Sequence, residues 1–280
     1  MNRVIEKRFL TPEIVMLELE APRIARRWKP GQFLIIRPTA ESERIPLTLV
    51  RGDTSRGTVT IVVQAIGKTT KVTAALEAGD MMADVVGPLG EPASVDNVGR
   101  VLCIGGGVGV AELLPVAKAF REAGNAVTAI CGARTDKHII LDAELREAVD
   151  DVLWSTDDGS AGFHGNVVQL MRQWIATQPG PPDAAHVIGP IPMMRFAADL
   201  TKEWGVKTFA SLNPVMIDGT GMCGGCRVTV GGKVRFACVE GPEFDAHQVD
   251  FDELTRRNRA YLEQERAVLQ AHECRVGLGR

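Results

Sequence analysis

The stretch Arg100–Gly124, "RVLCIGGGVGVAELLPVAKAFREAG", decides the fold. Val101 to Ile104 form a short apolar run, as expected of a strand buried on both faces. Glycines follow at 105, 106, 107 and 109, and a segment with helical spacing comes next. A strand, a glycine turn and a helix in that order begin a parallel α/β unit. Glycines let backbone approach a ligand, and a helix N-terminus offers free N–H groups and partial positive charge. Gly106, Gly107, Val108 and Gly109 are therefore candidate contacts to a pyrophosphate, with a ligand-free tight turn as the alternative.

Downstream the alternation continues. "NAVTAICGAR" (125–134) reads as a strand, "LDAELREAV" (141–149) as a helix and "DDVLWSTDDG" (150–159) as a strand and loop. "NVVQLMRQWIA" (166–176) reads as a helix, "AAHVIGPIPM" (184–193) as a strand and "MMRFAADLTKEWG" (193–205) as a helix. Residues 98–205 thus form a parallel-sheet nucleotide domain. Ligands of such sheets collect at the carboxyl ends of the strands. This makes Asp157, Asp158 and Gly189 to Met194, with Pro190 and Met193 among them, candidate walls of one crevice; Arg134 follows the second strand and joins them through the resemblance given below. No acidic residue closes the second strand, so NAD and NADP are not distinguished here.

Upstream, residues 1–97 read as all-β. Short alternating runs such as "IVMLELEAP", "FLIIRPT" and "TVTIVVQAI" are divided by turn segments "KPGQ", "GDTSRG" and "GPLGEP". Closely spaced short strands predict a barrel or sandwich. Within it, "ERIPLTL" (43–49) sets an arginine and a threonine beside a proline. "AIGKTTKVTAAL" (65–76) leads through Gly67, Lys68, Thr69 and Thr70 into a helix whose start suits a second phosphate.

Residues 206–246 form a small glycine-rich unit. "DGTGMCGGCRV" (218–228) and the hairpin "CRVTVGGKVRFAC" (226–238) place Asp218, Cys223, Cys226 and Cys238 in the pattern D-x4-C-x2-C-x11-C. Plant-type [2Fe–2S] loops read C-x4-C-x2-C followed by a distant cysteine. Here a carboxylate, a harder ligand, stands where the first thiolate belongs. Structural zinc and three unliganded thiols are the competing readings. Cys103 and Cys131 lie in apolar runs and read as core residues. The tail, 247–280, has helical spacing and many charges, which suits either a solvated helix or a clasp for a partner.

Composition narrows the function. A net charge of −3 and a pI near 6.0 exclude the basic footprint of a nucleic-acid binder. No apolar run approaches the roughly 20 residues that span a bilayer, and the charged N-terminus is not a signal peptide. A cytoplasmic setting is expected, where the six cysteines are thiols or metal ligands.

The order "RIPLTL", "IGKTT", "GGGVGVA", "GPIPMM" and the cysteine unit resembles the ferredoxin–NADP reductase superfamily over about residues 1–270. The likeness is to its branch of electron-transfer subunits. That branch includes the iron–sulfur flavoprotein subunit of dihydroorotate dehydrogenase and the small subunit of NADH-dependent reduced ferredoxin:NADP oxidoreductase. The second is the nearer likeness, because "DGTGMCGGCRV" resembles a cluster loop with aspartate as first ligand, where dihydroorotate dehydrogenase subunits carry four cysteines.

The resemblance implies a flavin-binding barrel, NAD(H) on the α/β domain and a [2Fe–2S] cluster on Asp218, Cys223, Cys226 and Cys238. It puts Arg44 on the FAD phosphate, Thr48 near the flavin ring, and Pro46 and Leu47 beside it. Gly67 to Thr70 become a further phosphate contact. The superfamily's R-x-Y-[ST] motif is departed from: Arg44 to Thr48 is one residue longer and has no tyrosine. No side chain is implied as a catalytic acid or base.

The partner implied is a larger flavin and iron–sulfur subunit handling ferredoxin and NADP(H). Electron bifurcation, where it occurs, is placed on that partner's flavin. Subunits of dihydroorotate dehydrogenase, hydrogenase or sulfide dehydrogenase are alternatives. A redox-sensing subunit is the alternative of another class, and it predicts no bound FAD.

Overall fold

The computed structural model describes residues 2–275. Its first sheet contains β1 (Val4–Thr11), β2 (Ile14–Glu20), β3 (Phe33–Arg37), β4 (Ile45–Asp53), β5 (Thr58–Gln64) and β6 (Asp84–Leu89). All pairs are antiparallel, in the order β1-β2-β5-β4-β3-β6. The sheet curls until its edges meet: Val4 donates its N–H to the Asp80 carbonyl at 2.9 Å, and Gly79 donates to that of Val4 at 2.8 Å.

Alternate residues point inward, so Leu17 and Leu19, Leu34 and Ile36, and Val59, Ile61 and Val63 fill one core. Their neighbours are buried too. Phe33 and Ile35 pack with the C-terminal unit, and Ile14, Val50 and Val62 with the α/β domain. The barrel is therefore apolar on both faces where the rest of the chain covers it. β6 was not expected, because "GPLGEP" reads as a turn. Pro88 is accommodated because β6 ends the strand order, where a missing N–H costs no ladder bond. Two short helices, α1 (Pro22–Ala25) and α2 (Lys68–Ala74), flank the barrel.

The second sheet holds β7 (Arg100–Gly106), β8 (Ala126–Ala133), β9 (Asp151–Thr156), β10 (Phe163–His164), β11 (Ala184–Ile188) and β12 (Lys207–Ser211). Helices α3 (Gly109–Glu122), α4 (Asp142–Ala148), α5 (Val167–Ala176) and α6 (Ile191–Glu203) connect its strands. The order β10-β9-β8-β7-β11-β12 is parallel throughout. The chain winds one way from β7 to β10, then returns to the other side of β7. The gap between the ends of β7 and β11 is thus a topological switch point.

Cys103 and Cys131 are fully buried there, as expected of core residues. Phe120 of α3 packs on His186 of β11 with ring centroids 4.6 Å apart. Phe120→Ala is expected to cost about 3–5 kcal/mol in urea unfolding; a loss under ~1 kcal/mol would show that the site collapses around the gap.

The remaining elements are β13 (Arg227–Val230), β14 (Lys233–Phe236), α7 (Ala237–Glu240), β15 (Glu243–Asp245), α8 (Phe251–Asn258) and α9 (Leu262–Arg275). β13 and β14 form the expected hairpin; Gly231 and Gly232, with φ of 59° and 73°, supply its turn.

Besides β6, three features differ from the sequence reading. The "VKTFASLN" segment, expected at the head of the cysteine unit, contributes β12 to the parallel sheet, and β15 pairs antiparallel with it. "GPIPM" is not strand: Pro190 precedes α6 and Pro192 lies in its first turn, where a missing N–H is tolerated. The tail is two helices rather than one. α8 buries Phe251 and Leu254, while α9 is largely exposed and joined to α2 by a Lys71–Glu273 ion pair. Residues 276–280 of the tail lie outside the described residues. Among the described residues, no helix is long and apolar enough to cross a membrane.

Candidate functional site

A cleft of about 1020 Å³ opens between barrel strand β4 and the switch point of the parallel sheet. Pro46, Leu47 and Thr48 form one wall, with Thr70 of α2 beside them. Gly106, Gly107, Val108 and Gly109 form the opposite wall, continued by Arg134, Asp157, Gly189, Pro190 and Met193.

Two glycines explain the close fit of the loops. Gly107 has φ +57° and needs the left-handed region. A Cβ on Gly109 would lie 2.8 Å from the Ile188 carbonyl oxygen and 3.0 Å from Gly189 Cα. The two loops thus touch backbone to backbone, which leaves the first turn of α3 facing the cleft.

Four residues expected on the barrel side do not line the cleft. Arg44 lies just before β4, and its Nη2 is 3.5 Å from Asp84 Oδ2, which also receives Arg37 Nε at 2.6 Å. A carboxylate on β6, two strands over in the sheet, claims this arginine, and no local spacing reveals it. Gly67 caps α2, and its N–H donates to Thr70 Oγ1 at 2.8 Å. That helix start is therefore partly satisfied from within. Lys68 and Thr69 follow on the helix, and Thr69 Oγ1 is buried without a partner.

Among the cleft residues that the sequence reading passed over is an acidic one. Glu112, in the first turn of α3, accepts a hydrogen bond from Thr48 Oγ1 at 2.9 Å and another from Ser211 Oγ. Burial pushes its carboxyl up to about 7, against the lowering effect of Ser211 and Thr48. An acidic residue in a first helical turn ordinarily reads as a partner for the helix dipole. Both of its bonds are long-range, so the sequence carries no signal for them.

The cysteine loop lies on the barrel's outer face. A Cβ on Gly219 would meet Leu89 at 2.6 Å and Ile35 at 3.0 Å. Cys226 and Cys238 are buried with their Sγ atoms 3.1 Å apart. Burial, with Cys226 beside it, pushes the Cys238 thiol up. Cys223 is exposed, and its Sγ accepts the Gly225 N–H at 3.5 Å. Asp218 accepts the N–H groups of Thr220 and Cys223, each at 2.8 Å, which hold its carboxyl below the usual range.

The loop therefore joins Cys226 to Cys238 directly and Asp218 to Cys223 through backbone. Among the described residues, no three His, Cys, Asp or Glu side chains are drawn together as a metal site. The donor set nonetheless suits a sulfur-loving centre: two adjoining buried sulfurs, a third sulfur and an ionised carboxylate on a pliant loop. From α8, Arg257 Nη2 donates to the Gly225 carbonyl at 3.1 Å and Asn258 Nδ2 to that of Asn213 at 2.9 Å. Part of the tail is thus a strap on the loop.

The cleft and the loop are neighbours. Ile35 pairs with Pro46 across β3 and β4, and Ile35 is also the side chain beneath Gly219. A single strand of the barrel links the wall of the cleft to the floor of the loop.

A barrel, a switch-point cleft and a cysteine loop in this order define a ferredoxin-reductase-like electron-transfer protein. Residues 213–250 match the iron–sulfur cluster binding domain of dihydroorotate dehydrogenase B. The chain is 44% identical to a dihydroorotate dehydrogenase B (NAD+) electron transfer subunit homolog of Thermotoga maritima, covering 95% of this chain and 93% of that one. It is 30% identical to the electron transfer subunit of that enzyme from Desulforamulus reducens, covering 88% and 96%. A solved structure of NADH-dependent reduced ferredoxin-NADP oxidoreductase, studied for flavin-based electron bifurcation, superposes with TM-score 0.90. The identity is 43%, covering 95% of this chain and 96% of that one. The chain belongs to the family of dihydroorotate dehydrogenase B electron-transfer subunits and their homologues.

Proposed function

We propose that this chain passes electrons between NAD(H), FAD and a [2Fe–2S] cluster to a larger flavin and iron–sulfur subunit. The observation that carries this reading is the Pro46–Ile35–Gly219 adjacency, which sets a nucleotide-sized cleft against the cysteine loop. Residues 1–97 serve as the flavin unit and 98–205 as the nucleotide unit. Residues 206–246 present the cluster, and α9 in the tail is the surface offered to the partner.

When bound, FAD takes a hydride's electron pair from nicotinamide and releases electrons singly to the iron–sulfur centre. The protein supplies place and shielding. Leu47 and Pro46 give the flavin ring an apolar contact, and Thr48 offers a hydroxyl. Gly106 to Gly109 and the start of α3 hold a pyrophosphate. Arg134, Asp157, Gly189, Pro190 and Met193 complete the nucleotide side. Arg44, Gly67, Lys68 and Thr69 stand outside this wall. Asp218, Cys223, Cys226 and Cys238 hold the cluster. Asp218 in the first position favours a complex that exchanges electrons among NAD(H), ferredoxin and NADP(H) over one that oxidises dihydroorotate. The setting is the cytoplasm.

The test is an anaerobic NADH titration followed by absorbance and reduced-state EPR, in wild type, Asp218→Ala and Asp218→Cys. Flavin bands that bleach, with a [2Fe–2S] signal that shifts in Asp218→Cys, are expected. A signal indifferent to position 218 removes Asp218 from the ligand set. Zinc without flavin ends the electron-transfer reading.

A further inference from the structure

We propose that Glu112 is a positioning residue that locks the Thr48 hydroxyl to the nucleotide sheet and takes up one solvent proton when an electron pair enters the cleft. This rests on the flavin reading above, which does not involve Glu112.

Three elements converge on this carboxyl group. α3 carries it, barrel strand β4 contributes Thr48, and Ser211 ends β12. Both carboxylate oxygens accept a hydroxyl hydrogen bond, and the side chain otherwise borders the cleft. It is thus a direct side-chain link between the two walls of the cleft. The charge acting on it is that of Glu243 on β15, which Ser211 faces in register. His186 of β11 approaches Glu243 with its Nδ1 at 3.6 Å. Thr48 and Ser211 themselves are neutral. A further negative charge in the cleft therefore acts on a carboxyl group that burial has already raised to about 7, and pushes it higher.

The step balances as follows. A hydride, carrying two electrons and one hydrogen, leaves NADH, giving NAD+ and a flavin that has gained one negative charge. One proton from solvent then binds the Glu112 carboxylate and offsets that charge. When the two electrons leave singly for the cluster, the proton on Glu112 and the hydride's hydrogen, now as a second proton, both return to solvent.

Two measurements test this on the purified protein. The first is the slope of the bound flavin's midpoint potential between pH 7 and 8.5, followed by absorbance. Wild type is expected to take up two protons per electron pair over part of this range, and Glu112→Gln only one. Ser211→Ala removes a bond that favours the ionised form, so its two-proton window should move to higher pH. The second is urea stability of flavin-free protein against pH. A carboxyl whose folded pKa is raised adds stability below its unfolded pKa, and this is lost as pH rises through the folded value. Wild type should therefore lose stability between about pH 5 and 7.5, and Glu112→Gln should lose less. Equal slopes in wild type and Glu112→Gln overturn the proposal. So does a wild type that retains flavin but takes up one proton throughout. Wild type that binds no flavin overturns the flavin reading with it, whereas the stability comparison reports on Glu112 alone.

Discussion

Cys226→Ser is expected to yield a chain that still binds flavin but carries no iron. Wild type should hold about two iron atoms per chain, as a [2Fe–2S] centre requires. The effect is large because Cys226 is the junction of the loop. It is buried, its Sγ lies 3.1 Å from that of Cys238, and its carbonyl accepts the Ala237 N–H at 3.1 Å. A hydroxyl is a harder donor than a thiolate and binds iron–sulfur clusters poorly. Iron and sulfide analysis with reduced-state EPR checks this. NADH should still bleach the flavin, because the cleft is built from other elements. Cys103→Ala should leave the iron unchanged, since that thiol is in the core of the parallel sheet. Wild-type iron content in Cys226→Ser would remove this residue from the cluster.

The second large effect is expected at Gly109. Gly109→Ala places a methyl group 2.8 Å from the Ile188 carbonyl oxygen and 3.0 Å from Gly189 Cα. Both are backbone atoms at the end of β11, a strand paired on both sides. They cannot step aside as a flexible side chain would. The overpacking should cost about 1–3 kcal/mol of stability. More tellingly, it drives the Gly189–Pro190 turn away from the glycine loop and deforms that wall of the cleft. NADH binding should weaken roughly a hundredfold, about 2.7 kcal/mol. Gly107→Ala is the instructive control. It meets nothing within 4 Å but sits at φ +57°. Its penalty is the left-handed backbone alone, about 1–2 kcal/mol. Titration of flavin bleaching with NADH, beside urea unfolding, separates the two. If Gly107→Ala weakens NADH binding as much as Gly109→Ala does, contact between the loops is not what shapes the site.

Much of this was legible in the chain. The alternation in "TVTIVVQAI", the helical spacing after "GGGVGVA" and the "GG" hairpin turn are local patterns. Backbone geometry converts each into one kind of element. The cysteine spacing is likewise local, because a glycine loop and a short hairpin bring Cys238 back to Cys226. β6 was missed for the converse reason. "GPLGEP" has turn composition, yet Gly87 and Pro88 are tolerated in a strand at the end of the barrel's order.

Most of the elements, the glycine loops and the donor set of the cysteine unit can be read from the chain, because each depends on residues close together in it. Which walls meet follows from the fold alone. The tertiary structure placed β12 and β15 in the parallel sheet, paired Arg44 with Asp84, and set Ile35 between cleft and loop. It also joined Thr48, Glu112 and Ser211, residues 64 and 99 positions apart from the central glutamate. Such contacts follow from strand order and packing of the whole chain, and short-range periodicity holds no record of them.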